Sequence, residues 1–213
     1  MLILFLAASL IAGYLLGSIN SSVLVGRFFG VDIRKKGSGN AGATNTLRTL
    51  GKKAAIIVFV GDALKAVVAI LLARLFAFIF FSDDVNTSLY AQYLASFGAV
   101  LGHNFPVYFG FKGGKGIVTS IACITTLEWR IGLILIVVGV GLIILTRFVS
   151  LGSIAGAIGY PVCVIAFHAK SSAENVPYYI ALSLAMGILA VYRHRANIVR
   201  LIKGTESKLG AKK

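Results

Sequence analysis

Long apolar runs, each closed by a short polar or glycine-bearing stretch, repeat along the whole of this chain. Read as spans they cover about 2–26, 54–81, 89–109, 117–127, 131–146, 148–167 and 177–192. The stretch IGLILIVVGVGLIIL, 131–145, is continuously apolar and does not alternate, so it suits a helix and not a half-buried strand. About 20 such residues cross the hydrocarbon of a bilayer. Inside lipid the backbone must satisfy its own hydrogen bonds, and helices do so without closing a barrel. The pattern therefore predicts an all-α polytopic membrane protein of about seven transmembrane helices, forming one domain over 1–213. The fourth span is short and the second long. No basic segment precedes the first apolar run and further spans follow it, so it reads as a membrane helix and not a cleaved signal.

Composition agrees with lipid as the main solvent. Hydrophobic residues make up 58% of the 213 and charged residues 13%, against roughly 25% charged in soluble domains. Charge then orients the spans. The linker 27–53 carries Arg27, Arg34, Lys35, Lys36, Arg48, Lys52 and Lys53 against Asp32. The tail 193–213 carries Arg193, Arg195, Arg200, Lys203, Lys208, Lys212 and Lys213 against Glu206. Lys112, Lys115 and Arg147 fall on the same side if the spans alternate, while Asp83, Asp84, Glu128 and Glu174 fall opposite with Arg130 and Lys170. Basic loops stay in the cytoplasm. This places the N-terminus outside and the C-terminus in the cytoplasm. The net charge of +14 suits anionic lipid head groups. Nucleic acid fits it less well, since the basic residues flank spans and form no single soluble face.

Every polar stretch that looks specific falls on the basic side. In GSGNAGATNTLRTLG, 37–51, glycines at 37, 39 and 42 open backbone angles closed to other residues. Successive amides in such a turn make an anion-binding concavity. Thr44 or Asn45 is placed to cap a short helix carrying Arg48, and a helix N-terminus also favours anions. Ser38, Asn40, Thr44 and Asn45 add side-chain donors, so the stretch reads as a phosphate cradle, although it lacks the nucleotide-binding GxxxxGK[ST] pattern. In GHNFPVYFGFKGGKG, 102–116, Lys112 and Lys115 bracket two glycines, putting an ammonium beside open backbone. RFVSLGSI, 147–154, sets Ser150 and Ser153 at the cytoplasmic mouth. In YRHRANIVRLIKGTESK, 192–208, His194 and Asn197 stand three apart on one helical face. Asp62 and Lys65 lie three apart inside the second span. Intramembrane charges are costly enough that a mutual ion pair supporting the cytoplasmic site is expected. Cys123 and Cys163 sit within spans, with spacing for neither a disulfide framework nor a metal site.

Missing patterns narrow the chemistry. The carboxylates on the basic side, Asp32, Asp62 and Glu206, are spread too widely in sequence to suggest a shared Mg²⁺. No HExxH zinc pattern and no GxSxG nucleophile elbow occur. No Asp stands five residues after His103, His168 or His194, which removes the His-x-x-x-x-Asp acyltransferase arrangement. What remains is amides, hydroxyls, lysine and arginine, a set that binds phosphorylated molecules and stabilises developing negative charge. At this level the chain is a transferase or a transporter of anionic substrates at the inner leaflet. A transporter would want a polar path through both leaflets, and the outer half shows no matching cluster. A scaffold would leave the glycine pattern of 37–42 unexplained.

Taken in order, GSGNAGATNTLRTLG, GHNFPVYFGFKGGKG, SLGSI and YRHRANIVRLIKGTE, with YLLGSINSSVLVG before them, make the chain similar to the bacterial acyl-phosphate:glycerol-3-phosphate acyltransferase family. The resemblance runs along nearly the whole chain. It implies seven transmembrane helices in the bacterial plasma (inner) membrane with the active site facing the cytoplasm. It implies acyl transfer from an acyl-phosphate to the 1-hydroxyl of glycerol 3-phosphate, without cofactor, metal or obligate protein partner. By the same resemblance Ser38, Gly39, Asn40, Gly42, Thr44 and Asn45 hold the acyl-phosphate head. Arg48, Lys115, Ser153, His194 and Asn197 match the glycerol-3-phosphate pocket, with His194, Lys115 and Arg48 as the catalytic set. Two proton acceptors stay open, His194 and the departing phosphate. The second is the preferred expectation, with His194 positioning the acceptor substrate.

Overall fold

The computed structural model describes residues 1–82 and 84–210. Asp83, Lys212 and Lys213, which entered the charge count, lie outside the described residues. Those described are helical through most of each apolar run, although the run 89–109 ends its α-helix at Asn104, and they form two compact units, Met1–Leu127 and Glu128–Lys213.

In the first unit the chain opens with α1 (Leu2–Gly17) and α2 (Ser21–Phe28). One continuous span was expected here, and the structure breaks it at Ser18–Asn20. The cause is local. Asn20 adopts extended backbone and its side-chain oxygen accepts from the Val23 amide at 3.0 Å, which starts a new helix. A 3-10 turn, Ile33–Lys35, leads to α3 (Ala43–Leu50), then α4 (Lys52–Phe81) and α5 (Val85–Asn104). The Asp84 carboxylate caps α5, accepting from the Thr87 amide at 3.1 Å and the Thr87 hydroxyl at 2.7 Å. A second 3-10 turn, Val107–Phe109, precedes α6 (Ile117–Leu127), which has the predicted bounds.

Helix α5 packs along α1, and α4 packs against both and against α6. The α1–α5 contact is very close. Gly13 and Gly17 on α1 face Gly98 and Gly102 on α5. A Cβ at these four sites would overlap the carbonyl oxygens of Ala95, Ala99, Leu10 and Tyr14 respectively. Two small residues four apart on each helix let membrane backbones approach, where packing and not water exclusion drives association. The Tyr14 hydroxyl ties the pair at one end, donating to the Phe105 carbonyl at 2.8 Å.

The second unit comprises α7 (Trp129–Thr146), α8 (Val149–His168), α9 (Val176–Arg193) and the short α10 (Arg195–Ile202). Helix α8 packs on α7 and α9, and α10 touches both α8 and α9. Again small residues meet: a Cβ on Gly152 would overlap the Gly139 carbonyl.

By length and composition, five segments among the described residues can cross a bilayer: Leu2–Phe28, Lys52–Phe81, Trp129–Thr146, Val149–His168 and Val176–Arg193. Their outward faces stay apolar, with Phe78, Val137, Leu145 and Ile188 all more than half exposed. Such faces suit lipid contact. Helix α5, with its Tyr, Gln and Ser positions, and the short α6 fall outside that set.

Candidate active site

In the first unit the glycine-rich stretch folds into a loop that is held from within. Gly37 (φ 58°) and Gly39 (φ 72°) take left-handed backbone, as their sequence context suggested. Gly42 does not: its backbone is extended (φ −159°), and it stands as the N-cap of α3 with no side-chain cap. The expected cap from Thr44 or Asn45 is therefore absent, for a physical reason. The Asn45 side chain is turned back into the loop. Its amide donates to the carbonyls of Ile33 and Lys36, both at 3.0 Å, and its oxygen accepts from the Ser38 amide at 2.8 Å.

Three of the loop amides are thus committed internally, Ser38 to Asn45, Gly39 to the Lys36 carbonyl and Gly42 to the Asn40 carbonyl. The anion-binding potential shifts to the first turn of α3, where the amides of Ala43 and Thr44 have no acceptor within the helix. Ser38 and Gly39 are exposed, as is Arg48 on α3. Thr46 anchors this helix, sharing a 2.8 Å hydrogen bond with the Ser22 hydroxyl of α2.

The second glycine stretch meets the first directly. A Cβ on Gly114 would lie 2.6 Å from the Ala41 carbonyl oxygen and would overlap the His103 ring at Nε2. The Gly114 amide donates to the His103 carbonyl at 3.1 Å, and the side-chain amide of Asn20 reaches the same Ala41 carbonyl at 3.4 Å. The two stretches, some 70 residues apart in sequence, thus share one backbone contact. Lys115 follows, half-buried, in the turn that enters α6.

The basic linker is pinned to the same region. Arg34 grips Asp32 through Nε at 3.0 Å and Nη2 at 3.1 Å, while its Nη1 donates to the Phe109 carbonyl at 2.9 Å. The side-chain and backbone hydrogen bonds from Arg34 lower the Asp32 pKa to about 2.

The expected Asp62–Lys65 ion pair is present at 2.9 Å, with both side chains buried. Sequence reasoning missed its third member. His103, on α5, brings Nδ1 to 3.0 Å from the Lys65 ammonium and 3.5 Å from the Asp62 carboxylate.

In the second unit His194 stands just outside the helix that carries Asn197. His194 is the junction, closing α9 and opening α10, and the Asn197 amide donates to its carbonyl at 2.8 Å. The His194 ring is buried, with Nδ1 2.8 Å from the Ala190 carbonyl. A carbonyl can only accept, so Nδ1 carries a proton and Nε2 is the basic nitrogen of the neutral ring. Ser153 turns its hydroxyl to the Val149 carbonyl, one turn back.

Glu206, not singled out from sequence, organises this end of the unit. Its Oε1 accepts from Ser150 at 2.6 Å and Asn197 at 2.7 Å, and its Oε2 accepts from Arg200 Nε at 2.7 Å. Burial opposes its ionisation, but these hydrogen bonds and the Arg200 charge prevail, and its pKa is lowered. Only the acidic position in a basic tail hinted at this role.

Comparison with known proteins places the chain in a family. The family model for glycerol-3-phosphate acyltransferase matches residues 7–204. A glycerol-3-phosphate acyltransferase of Clostridioides difficile is 43% identical over 95% of each chain, and that of Shouchella clausii is 42% identical over 99% of each. Among solved structures, PlsY (YgiH), an integral membrane glycerol 3-phosphate acyltransferase, aligns in its glycerol 3-phosphate form with a TM-score of 0.80. Its identity is 36% and the alignment covers 96% of both chains. Its lysophosphatidic acid form aligns with a TM-score of 0.77 at 35% identity, over 96% of this chain and 95% of that one. The helical fold and these relatives agree: the chain is an integral membrane acyltransferase and belongs to the glycerol-3-phosphate acyltransferase family.

Proposed function

We propose that the chain moves an acyl group from an acyl-phosphate to the 1-hydroxyl of glycerol 3-phosphate, releasing lysophosphatidic acid and inorganic phosphate. The observation that carries this reading is the meeting of the two glycine stretches at Ala41 and Gly114. It sets the first-turn amides of α3 and the lysine of the second stretch on one backbone framework. The acyl-phosphate head lies at the loop 38–45. Ser38, Asn40 and Thr44 supply donors there, while Gly39, Gly42 and Asn45 shape the loop. Arg48 and Lys115 neutralise the phosphate of glycerol 3-phosphate; Ser153, His194 and Asn197, in the second unit, are assigned to the same substrate by the resemblance of SLGSI and YRHRANIVRLIKGTE alone.

The substrate hydroxyl oxygen attacks the acyl carbonyl carbon, the bond from that carbon to the phosphate oxygen breaks, and phosphate departs with the electron pair. The proton goes to the departing phosphate, and His194 orients the acceptor. Holding both reactants in place supplies much of the acceleration, since proximity alone is worth several orders of magnitude. A metal-free route is supported by the carboxylates of the basic side. Asp32, Asp62 and Glu206 each already face protein donors.

The seven-span topology, with the N-terminus outside and the site on the cytoplasmic face of a bacterial plasma membrane, rests on the charge bias of the loops. The family match across both units supports one acyltransferase domain over 1–213. Purified protein in detergent, given palmitoyl phosphate and labelled glycerol 3-phosphate with a chelator and no coenzyme A, tests the reading. Lysophosphatidic acid is the expected product. Its absence, with product formed from acyl-coenzyme A or acyl-carrier protein, would reassign the donor.

A further inference from the structure

Three polar groups lie inside the helix packing of the first unit, where apolar residues would have sufficed. Asp62 and Lys65 come from α4 and His103 from α5, and none is more than 7% exposed. Replacing a buried ion pair by well-packed apolar residues is often neutral for stability, so stability alone does not explain the cluster. Its geometry offers another reason.

The Lys65 ammonium has three hydrogens and three acceptors in reach. These are Asp62 Oδ1 at 2.9 Å, the Ile19 carbonyl at 2.9 Å and His103 Nδ1 at 3.0 Å. The Ile19 carbonyl belongs to the break between α1 and α2, where no continuing helix supplies an amide for it. An ammonium can only donate, so Nδ1 accepts and the neutral His103 ring carries its proton on Nε2. Nε2 is the atom against which Gly114 is packed, and the Gly114 amide is bound to the His103 main chain. One lysine thereby connects the helix break, α4, α5 and the turn that carries Lys115. Through Ala41, that turn continues to the other glycine loop.

We propose that Lys65, Asp62 and His103 are positioning residues: the cluster sets the His103 ring, and the ring sets the 113–116 turn that aims Lys115 at glycerol 3-phosphate. The assignment rests on the reading above, in which Lys115 neutralises that phosphate. None of the three touches substrate. Their effect falls on how well the substrate is held, not on bond making.

The test compares the parent enzyme with Asp62→Asn/Lys65→Met, His103→Gln and His103→Ala in detergent. Unfolding midpoints are recorded beside kinetics with glycerol 3-phosphate varied. The double variant removes both charges together, so neither is left buried alone. It should stay folded, with KM for glycerol 3-phosphate raised about tenfold and kcat changed less than about threefold. His103→Gln can donate from near the place of Nε2, so its KM should lie closer to the parent than that of His103→Ala. A folded double variant with parental KM would overturn the proposal, and so would equal KM values for the two His103 variants. If none of the three variants folded, the cluster would belong to fold stability alone and the proposal would fall. Turnover by the parent enzyme tests the reading beneath this inference. The ratio of variant to parent tests the positioning, so the two failures are distinct.

Discussion

Glycines serve two unlike ends in this molecule. Along the α1–α5 contact, Gly13, Gly17, Gly98 and Gly102 face main-chain atoms of the opposite helix, which cannot move aside without moving the helix. In the site, Gly37 and Gly39 supply left-handed backbone, and Gly114 lets a turn lie against a histidine ring and a carbonyl. The missing side chain is the same. What fills its place differs, the backbone of a packed helix in one region, and side-chain and loop atoms in the other. Helix glycines therefore govern whether the first unit assembles, and under the proposed function loop glycines govern what the assembled unit can hold.

The largest break in that contrast should come from Gly17→Leu. Its side chain would be driven into the Ala99 carbonyl, at a cost of about 3 kcal/mol or more. Aggregation or loss of a folded peak on size exclusion in detergent is expected, and a folded, active variant would refute the account of the contact. Gly114→Ala comes next. The protein should still fold, because the clash is confined to one turn, but activity should fall about a hundredfold as the turn shifts by an ångström or so. Normal turnover would show that the turn tolerates displacement.

Asn45→Ala removes three hydrogen bonds from the glycine-rich loop and leaves two carbonyls and an amide to find other partners. A loss of about 1–3 kcal/mol is expected. It should be read as a lower unfolding midpoint together with a raised KM for the acyl donor. Gly42→Ala should do least. Its backbone is extended and its Cβ would meet only the end of the Asn40 side chain, at 3.0 Å. A rise of about threefold in KM for the acyl donor would mark Gly42 as a lesser contributor to the loop than the left-handed glycines.

Much of this was legible in the chain because it is local. Apolar runs located the helices closely: 54–81 became Lys52–Phe81, and 117–127 became Ile117–Leu127. Asp62 and Lys65 could be paired because three residues of helix bring them together. The break at Ser18–Asn20 was signalled by the polar residues of GSIN but hidden by the apolar residues around them. What the sequence could not disclose depends on contacts between distant segments. Lys65 meets His103 across 38 positions, and Ser150 meets Glu206 across 56. Asn45 reads as a ligand donor or a helix cap until the chain returns two carbonyls to it. Then its amide is spent on architecture.

The close contact of α1 with α5 also bears on how the protein is made. Helix α1 leaves the ribosome well before α5, and its glycine-lined face is shaped for that later helix, which ends at Asn104. At ordinary synthesis rates that partner follows several seconds later. Until then α1 must wait in the bilayer with its close-packing surface turned to lipid, or to whatever insertion machinery shields it. A nascent chain halted before α5 is therefore the state in which this membrane protein is most open to pairing with the wrong helix.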